Sequence, residues 1–86
     1  MSDPVSWYLI ERGWLVRSVE GEHLGHVTEV DAEPARDIFD GIEYRHAVLE
    51  HVHYVPSEHV ELIVEGEVKL SLTAEQAECL GPRRST

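Results

Sequence analysis

The chain has 86 residues, which is enough for one small domain with a modest hydrophobic core. Its 17 acidic and 7 basic residues give a formal net charge of −10, so we expect no direct nucleic-acid binding and no docking on anionic membranes. Cys79 is the only cysteine, which excludes an internal disulfide and a cysteine-based zinc site and favours a reducing compartment. The first residues have no basic segment and no long apolar run, so we expect a cytoplasmic protein that is neither exported nor inserted.

Two conformations are open for the N-terminal segment. Asp3 and Pro4 could cap and begin a helix that ends at Gly13. The adjacent aromatic residues Trp7 and Tyr8 favour an extended lead-in strand instead. We therefore predict extended backbone here.

The same segment carries an apolar run that a small core cannot easily absorb. A short barrel also leaves strand edges that a second subunit can cover, and a two-fold pairing would use the same patch twice. We therefore predict a homodimer, with an interface made by four consecutive residues: Trp7, Tyr8, Leu9 and Ile10.

The first hairpin is indicated by a Val-Glu-Gly-Glu turn. Residues 14–19 have strand character, and Gly21 supplies the positive φ that such a turn requires. Residues 24–30 form the second strand, in which Gly25 marks a bulge or a close backbone approach.

The middle of the chain alternates breakers and strands. Acids and breakers make residues 31–41 an excursion loop that interrupts the sheet and holds at most one helical turn. Strand character resumes at residues 42–45 and 47–55. Pro56 ends that strand because proline cannot donate to a strand ladder.

The last part repeats the Val-Glu-Gly-Glu turn, with Gly66 at the positive-φ position. Residues 68–72 alternate as a half-buried strand. Thr73 begins a capping box for a short helix over residues 74–80, and residues 82–86 are predicted to fray. The predicted core consists of Val16, Val27, Val48, Val52, Leu62, Val68, Leu70 and Leu72.

These motifs together resemble the PRC-barrel family. The likeness covers residues 14–72, and it depends on a Gly-Glu-x-Leu-Gly-x-Val strand, a Tyr-Val-Pro-x-x-x-Val corner and a Glu-Gly-x-Val-x-Leu hairpin. The family includes the cytoplasmic domain of the photosynthetic reaction-centre H subunit, half of a ribosome maturation factor and short stand-alone bacterial proteins. The resemblance implies one mostly β domain over residues 1–86, a small antiparallel barrel with a short C-terminal helix. It assigns structural roles to Gly21, Gly25, Pro56 and Gly66.

Histidine is abundant, with six in the chain. His51 and His53 lie two residues apart and are predicted to share one strand face. Zinc needs three or four converging ligands, so two histidines do not make a site. Structural or surface histidines are the favoured interpretation, and a histidine-based metal or small-ligand site is the alternative.

No catalytic or cofactor motif occurs in the chain, so we predict neither an enzyme nor a bound cofactor. The favoured function is a protein-interaction or scaffold module in a bacterial-type cytoplasm, with an unidentified protein partner. A ribosome-associated accessory factor is a further alternative, which the family resemblance suggests and the negative charge opposes.

Overall fold

The computed structural model describes residues 5–46 and 51–82, and within them the chain forms six strands and one short α-helix. The elements are β1 (Leu15–Arg17), β2 (His23–Glu33), β3 (Ile38–His46), β4 (Val52–Pro56), β5 (Val60–Val64), β6 (Glu67–Leu70) and α1 (Ala74–Glu78). Single 3-10 turns cover Trp7–Leu9, Pro34–Arg36 and Ser57–His59. The predicted mostly β fold with a short C-terminal helix is confirmed.

The six strands form one open, mixed sheet in the order β4-β3-β2-β1-β6-β5. Strands β1 and β6 run parallel, and the other neighbouring pairs run antiparallel. The predicted closed antiparallel barrel is therefore wrong. Strands β4 and β5 lie at opposite edges of the sheet, and no pairing between them closes it.

The β2–β3 hairpin is longer than predicted. The expected excursion loop over residues 31–41 is wrong, because β2 continues to Glu33 and β3 begins at Ile38. The one helical turn predicted there is present at Pro34–Arg36, and Asp37 follows it with a φ of 55°. The pairing of β2 with β3 continues through this stretch, with a register shift between Asp31 and Ala32.

Gly25 lies where strands β2 and β3 approach each other closely. A Cβ atom at this position would overlap the carbonyl group of Arg45. The β1–β2 pairing also shifts its register here, because Gly25 pairs with Val16 and His23 pairs with Arg17, which leaves one extra residue in β2 between them. The structure therefore shows both features predicted for Gly25, the irregular register and the close backbone approach.

The predicted turns and caps are confirmed. Gly21 and Gly66 have φ angles of 88° and 85°, and Pro56 is the last residue of β4. The Thr73 side chain accepts a hydrogen bond from the Gln76 amide, and the Gln76 side chain accepts one from the Thr73 amide. Helix α1 ends at Glu78, two residues earlier than predicted.

The hydrophobic core lies between the sheet, α1 and the N-terminal segment. Its buried side chains are Ile10, Val16, Leu24, Val27, Ile42, Tyr44, Val55, Val68, Leu70 and Ala77.

Several predicted core residues lie elsewhere. The prediction that Leu62 belongs to the core is wrong, since its side chain is 39% exposed on the edge strand β5. Val52 is only half-buried, because in β4 the buried positions are His53 and Val55. Leu72 is half-buried beyond the end of β6 at Leu70, and it packs against the core. Val48 lies outside the described residues.

The N-terminal segment is neither the predicted strand nor a long helix. Ser6 caps the single 3-10 turn through its side chain, which accepts from the Tyr8 amide at 3.2 Å. The extended prediction is wrong here because the turn directs Trp7 and Ile10 onto the sheet, where both contact the core. Asp3 and Pro4 lie outside the described residues.

Candidate interaction surface

The four residues predicted to form an interface take different positions. Ile10 is buried in the core. Trp7 is half-buried, with ring centroids 4.1 Å from Tyr8 and 5.6 Å from Phe39. The side chains of Tyr8 and Leu9 remain 53% and 55% exposed. Two of the four therefore present apolar surface to solvent.

Tyr8 also has a structural contact. Its hydroxyl donates to the Pro34 carbonyl oxygen at 2.9 Å, which ties the N-terminal segment to the tip of the β2–β3 hairpin. Its ring stacks on Trp7. Leu9 is thus the most exposed residue of the run, and its polar contact is made by the backbone amide, which donates to the Ser6 carbonyl at 3.0 Å.

A groove separates the N-terminal segment from the β5–β6 turn. Hydrogen bonds hold its two sides together, since the Val5 amide donates to the Ile63 carbonyl at 2.8 Å and the Leu15 amide donates to the Gly66 carbonyl at 3.0 Å. The chain between those anchors turns away from the hairpin. The space between them has a volume of about 420 Å³. We call it the β5 groove. It is lined by Val5, Leu9, Glu11, Trp14, Glu65 and Gly66.

The β5 groove combines apolar walls with two exposed carboxylates, those of Glu11 and Glu65. Neither carboxylate has an ion-pair partner among the described residues.

The basic residues of the neighbouring strands are already engaged. Arg12 contacts Glu29 at 3.0 Å, and Arg17 contacts Glu67 at 2.6 Å. Lys69 lies 4.0 Å from Glu61. The negative charge of the groove is therefore left uncompensated by its own surroundings.

Each edge of the sheet receives one backbone hydrogen bond from a flanking segment of the described chain. Along β4, the Tyr54 amide donates to the Gly81 carbonyl at 2.9 Å, and Pro56 has no amide hydrogen to offer. Along β5, the Val5 amide donates to the Ile63 carbonyl at 2.8 Å. Both edges are therefore only partly covered, and the groove lies beside the β5 edge.

His51 and His53, the alternative metal ligands, are not joined by a third potential ligand among the described residues. The rings of His51 and His53 have centroids 6.5 Å apart. Nδ1 of the buried His53 lies 2.6 Å from the Leu80 carbonyl oxygen, so this nitrogen carries the proton and donates. Among the described residues, no group of three or more His, Cys, Asp or Glu side chains is placed to hold a metal ion.

Tyr44 is a buried tyrosine with a shifted pKa. Its side chain is fully buried, its ring stacks on His53 with centroids 5.1 Å apart, and its hydroxyl has no hydrogen-bond partner among the described residues. Burial raises the pKa of Tyr44 to about 12, and the carboxylate of Glu78 adds to the rise. A neutral phenol sealed in the core cannot reach a substrate, so we assign it to the core.

Neither the protein-family models nor the curated proteins compared with this chain match it. Within the described residues, no helix has the length and apolarity needed to cross a membrane. The function is therefore inferred from the protein surface, and the β5 groove is the surface feature on which that inference depends.

The groove was not predicted from the sequence, because Val5, Glu11 and Glu65 meet only after the N-terminal segment docks on β5.

Proposed function

We propose that this chain is a non-enzymatic protein-interaction or scaffold module that binds its partner through the β5 groove. The observation that carries the proposal is the exposure of Leu9 on the rim of a groove that adjoins an open strand edge. Exposed apolar surface and unpaired strand edges are features by which proteins recognise other proteins. The resemblance to PRC-barrel proteins concerns only turn and corner residues, and the proposed function does not depend on it.

Exposed side chains on β5 support the same surface. Leu62 precedes Ile63, the residue that accepts the hydrogen bond from Val5, and Leu62 is one of three large apolar residues that are exposed in the described part of the chain. The other two, Tyr8 and Leu9, belong to the segment that docks beside β5. Within the described residues, the large exposed apolar side chains thus lie on the N-terminal segment and on β5, which the hydrogen bond from Val5 to Ile63 joins.

Self-association is one form that this interaction can take. A homodimer would cover Tyr8 and Leu9, whereas Trp7 and Ile10 already pack on their own sheet. The alternative functions have less support: a metal site would have to be built on two histidines, and a ribosome-associated role would bring a chain of charge −10 to a polyanion.

The experiment that tests the proposal compares the intact chain with Leu9→Ser, which removes exposed apolar surface and leaves the core intact. Sedimentation equilibrium reports self-association, and affinity capture from cell extract reports other partners. We expect Leu9→Ser to weaken a dimer or to lose a partner that the intact chain retains. Cys79→Ser is the matched control, since Cys79 is exposed on the segment that follows α1.

A strictly monomeric chain whose captured proteins are the same for the intact protein, Leu9→Ser and Cys79→Ser would contradict the proposal. Thermal unfolding of all three proteins checks that any loss of binding is not a loss of folding.

A further inference from the structure

We infer that the β5 groove binds a positively charged segment of a protein partner, with a lysine or arginine side chain placed between Glu11 and Glu65 and against Trp14. The inference rests on the proposed function and names the partner's chemistry. It depends on the charge of the groove, the nature of its walls and its size.

The charge of the groove selects a cation. Glu11 and Glu65 line the same space and have no ion-pair partner in the described part of the chain. The nearby cations have partners elsewhere, since Arg12 contacts Glu29 at 3.0 Å and Arg17 contacts Glu67 at 2.6 Å. The net charge of −10 adds a long-range attraction for a basic partner.

The walls of the groove select a cation that has an apolar body. Val5, Leu9 and Trp14 contribute aliphatic and aromatic surface beside the two carboxylates. Lysine and arginine bury their methylene stems against such surface and keep the charged group near oxygen atoms. An indole ring also attracts the cation itself. A bare metal ion would gain nothing from the apolar walls and would prefer more oxygen ligands.

The size of the groove fits a side chain or a short peptide segment. Its volume of about 420 Å³ lies within the range of sites that hold small ligands. The apolar rim at Leu9, 55% exposed, provides surface for a residue that flanks the cation.

A second copy of this chain is a poorer occupant. It would bring another net charge of −10 and its own Glu11 and Glu65 toward the same surface. The one basic pair that a second copy could offer is Arg83 and Arg84. Their replacement by alanine therefore separates self-association from binding of a different, basic partner.

The internal repeat of Val-Glu-Gly-Glu provides a matched control for the test. Glu65 lines the groove, whereas its counterpart Glu20 lies in the β1–β2 turn at the other end of β1. Both are exposed, so the substitutions leave the core unchanged. The comparison is between Glu11→Gln/Glu65→Gln and Glu20→Gln/Glu22→Gln, which remove the same charge at different places.

The probe is a short fluorescein-labelled peptide of alternating valine and arginine, and binding is followed by fluorescence anisotropy. We expect the peptide to bind the intact protein. We expect it to bind the Glu11→Gln/Glu65→Gln variant roughly three- to tenfold more weakly. Binding to Glu20→Gln/Glu22→Gln should stay close to that of the intact protein. Binding should weaken with added salt, because exposed charge pairs are screened, and Leu9→Ser should also weaken it.

Equal weakening by the two double variants would show general charge attraction and would overturn the inference. Absence of peptide binding would also overturn the inference. Loss of self-association in Arg83→Ala/Arg84→Ala would overturn it as well, because the occupant of the groove would then be a second copy. The proposed function survives each of these outcomes provided that Leu9→Ser still loses a dimer or a captured partner. Loss of neither would reject the proposed function itself.

Discussion

At the scale of single residues, Tyr44 links burial to pH. The hydroxyl group is buried in the core with no hydrogen-bond partner in the described part of the chain, and its pKa rises to about 12 from an ordinary value of about 10. The unfolded chain therefore releases this proton at lower pH than the folded chain. We expect the free energy of unfolding contributed by Tyr44 to be intact below pH about 10 and to fall by up to about 3 kcal/mol as the pH rises to about 12.

The control is Tyr44→Phe, which removes the titrating group and keeps the ring. Since the hydroxyl has no partner, we expect this variant to be close to neutral or slightly stabilising at neutral pH. Urea unfolding at a series of pH values measures the difference between the two proteins. A constant difference from pH about 8 to pH about 12 would contradict the assignment.

Gly25 and Gly66 are required for different physical reasons. At Gly25 a Cβ would overlap the Arg45 carbonyl group, whereas at Gly66 nothing lies near but φ is 85°. We expect Gly25→Ala to destabilise the fold by about 1–3 kcal/mol through overpacking, and Gly66→Val to cost about 1–3 kcal/mol through backbone strain.

Chemical denaturation measures both variants, with Gly66→Asn as the distinguishing control. Asparagine tolerates the left-handed region, so Gly66→Asn should recover much of the loss. Gly25→Asn should recover none, because the obstacle at that site is steric. Recovery of stability at both positions, or at neither, would mean that the same physical constraint requires glycine at both positions.

At the scale of elements, the short helix α1 depends on its cap. Five residues are too few for a helix to be stable alone, and it is fixed by the Thr73 capping box, by the buried Ala77 and by the Leu80 carbonyl that accepts from His53. Its C-terminal extension covers the β4 edge, where the Gly81 carbonyl accepts from the Tyr54 amide. The helix therefore protects one edge of the sheet.

Removing the cap should loosen that protection. We expect Thr73→Ala to destabilise the protein by about 1 kcal/mol, and Thr73→Ser to restore most of it, because serine supplies the same acceptor. Hydrogen exchange of the Tyr54 amide should accelerate in Thr73→Ala. Unchanged exchange at Tyr54 would show that α1 and the β4 edge are not coupled.

At the scale of the whole molecule, charge and sheet topology act together. An open sheet has two edges, and one of them, β5, carries the exposed Leu62. Open apolar edges promote unspecific association, and a net charge of −10 opposes it through mutual repulsion. The same charge would favour the basic partner that we propose.

The amino-acid sequence by itself determined the features that depend on a few neighbouring residues. The positive φ angles of Gly21 and Gly66, the end of β4 at Pro56 and the capping box at Thr73 follow from local backbone sterics and hydrogen bonding. The alternation of Val68 and Leu70 likewise identified a half-buried strand.

Only the tertiary structure decided which strands pair and what they bring together. Alternation shows that a segment is a strand but does not select its neighbour, so the parallel β1–β6 pair and the open sheet could not be read from it. The acidic stretch after Val30 became sheet because pairing with β3 outweighed its weak strand propensity. The β5 groove depends on contacts between Val5 and Ile63 and between Leu15 and Gly66, residues more than fifty positions apart, and no local pattern encodes a meeting of that kind.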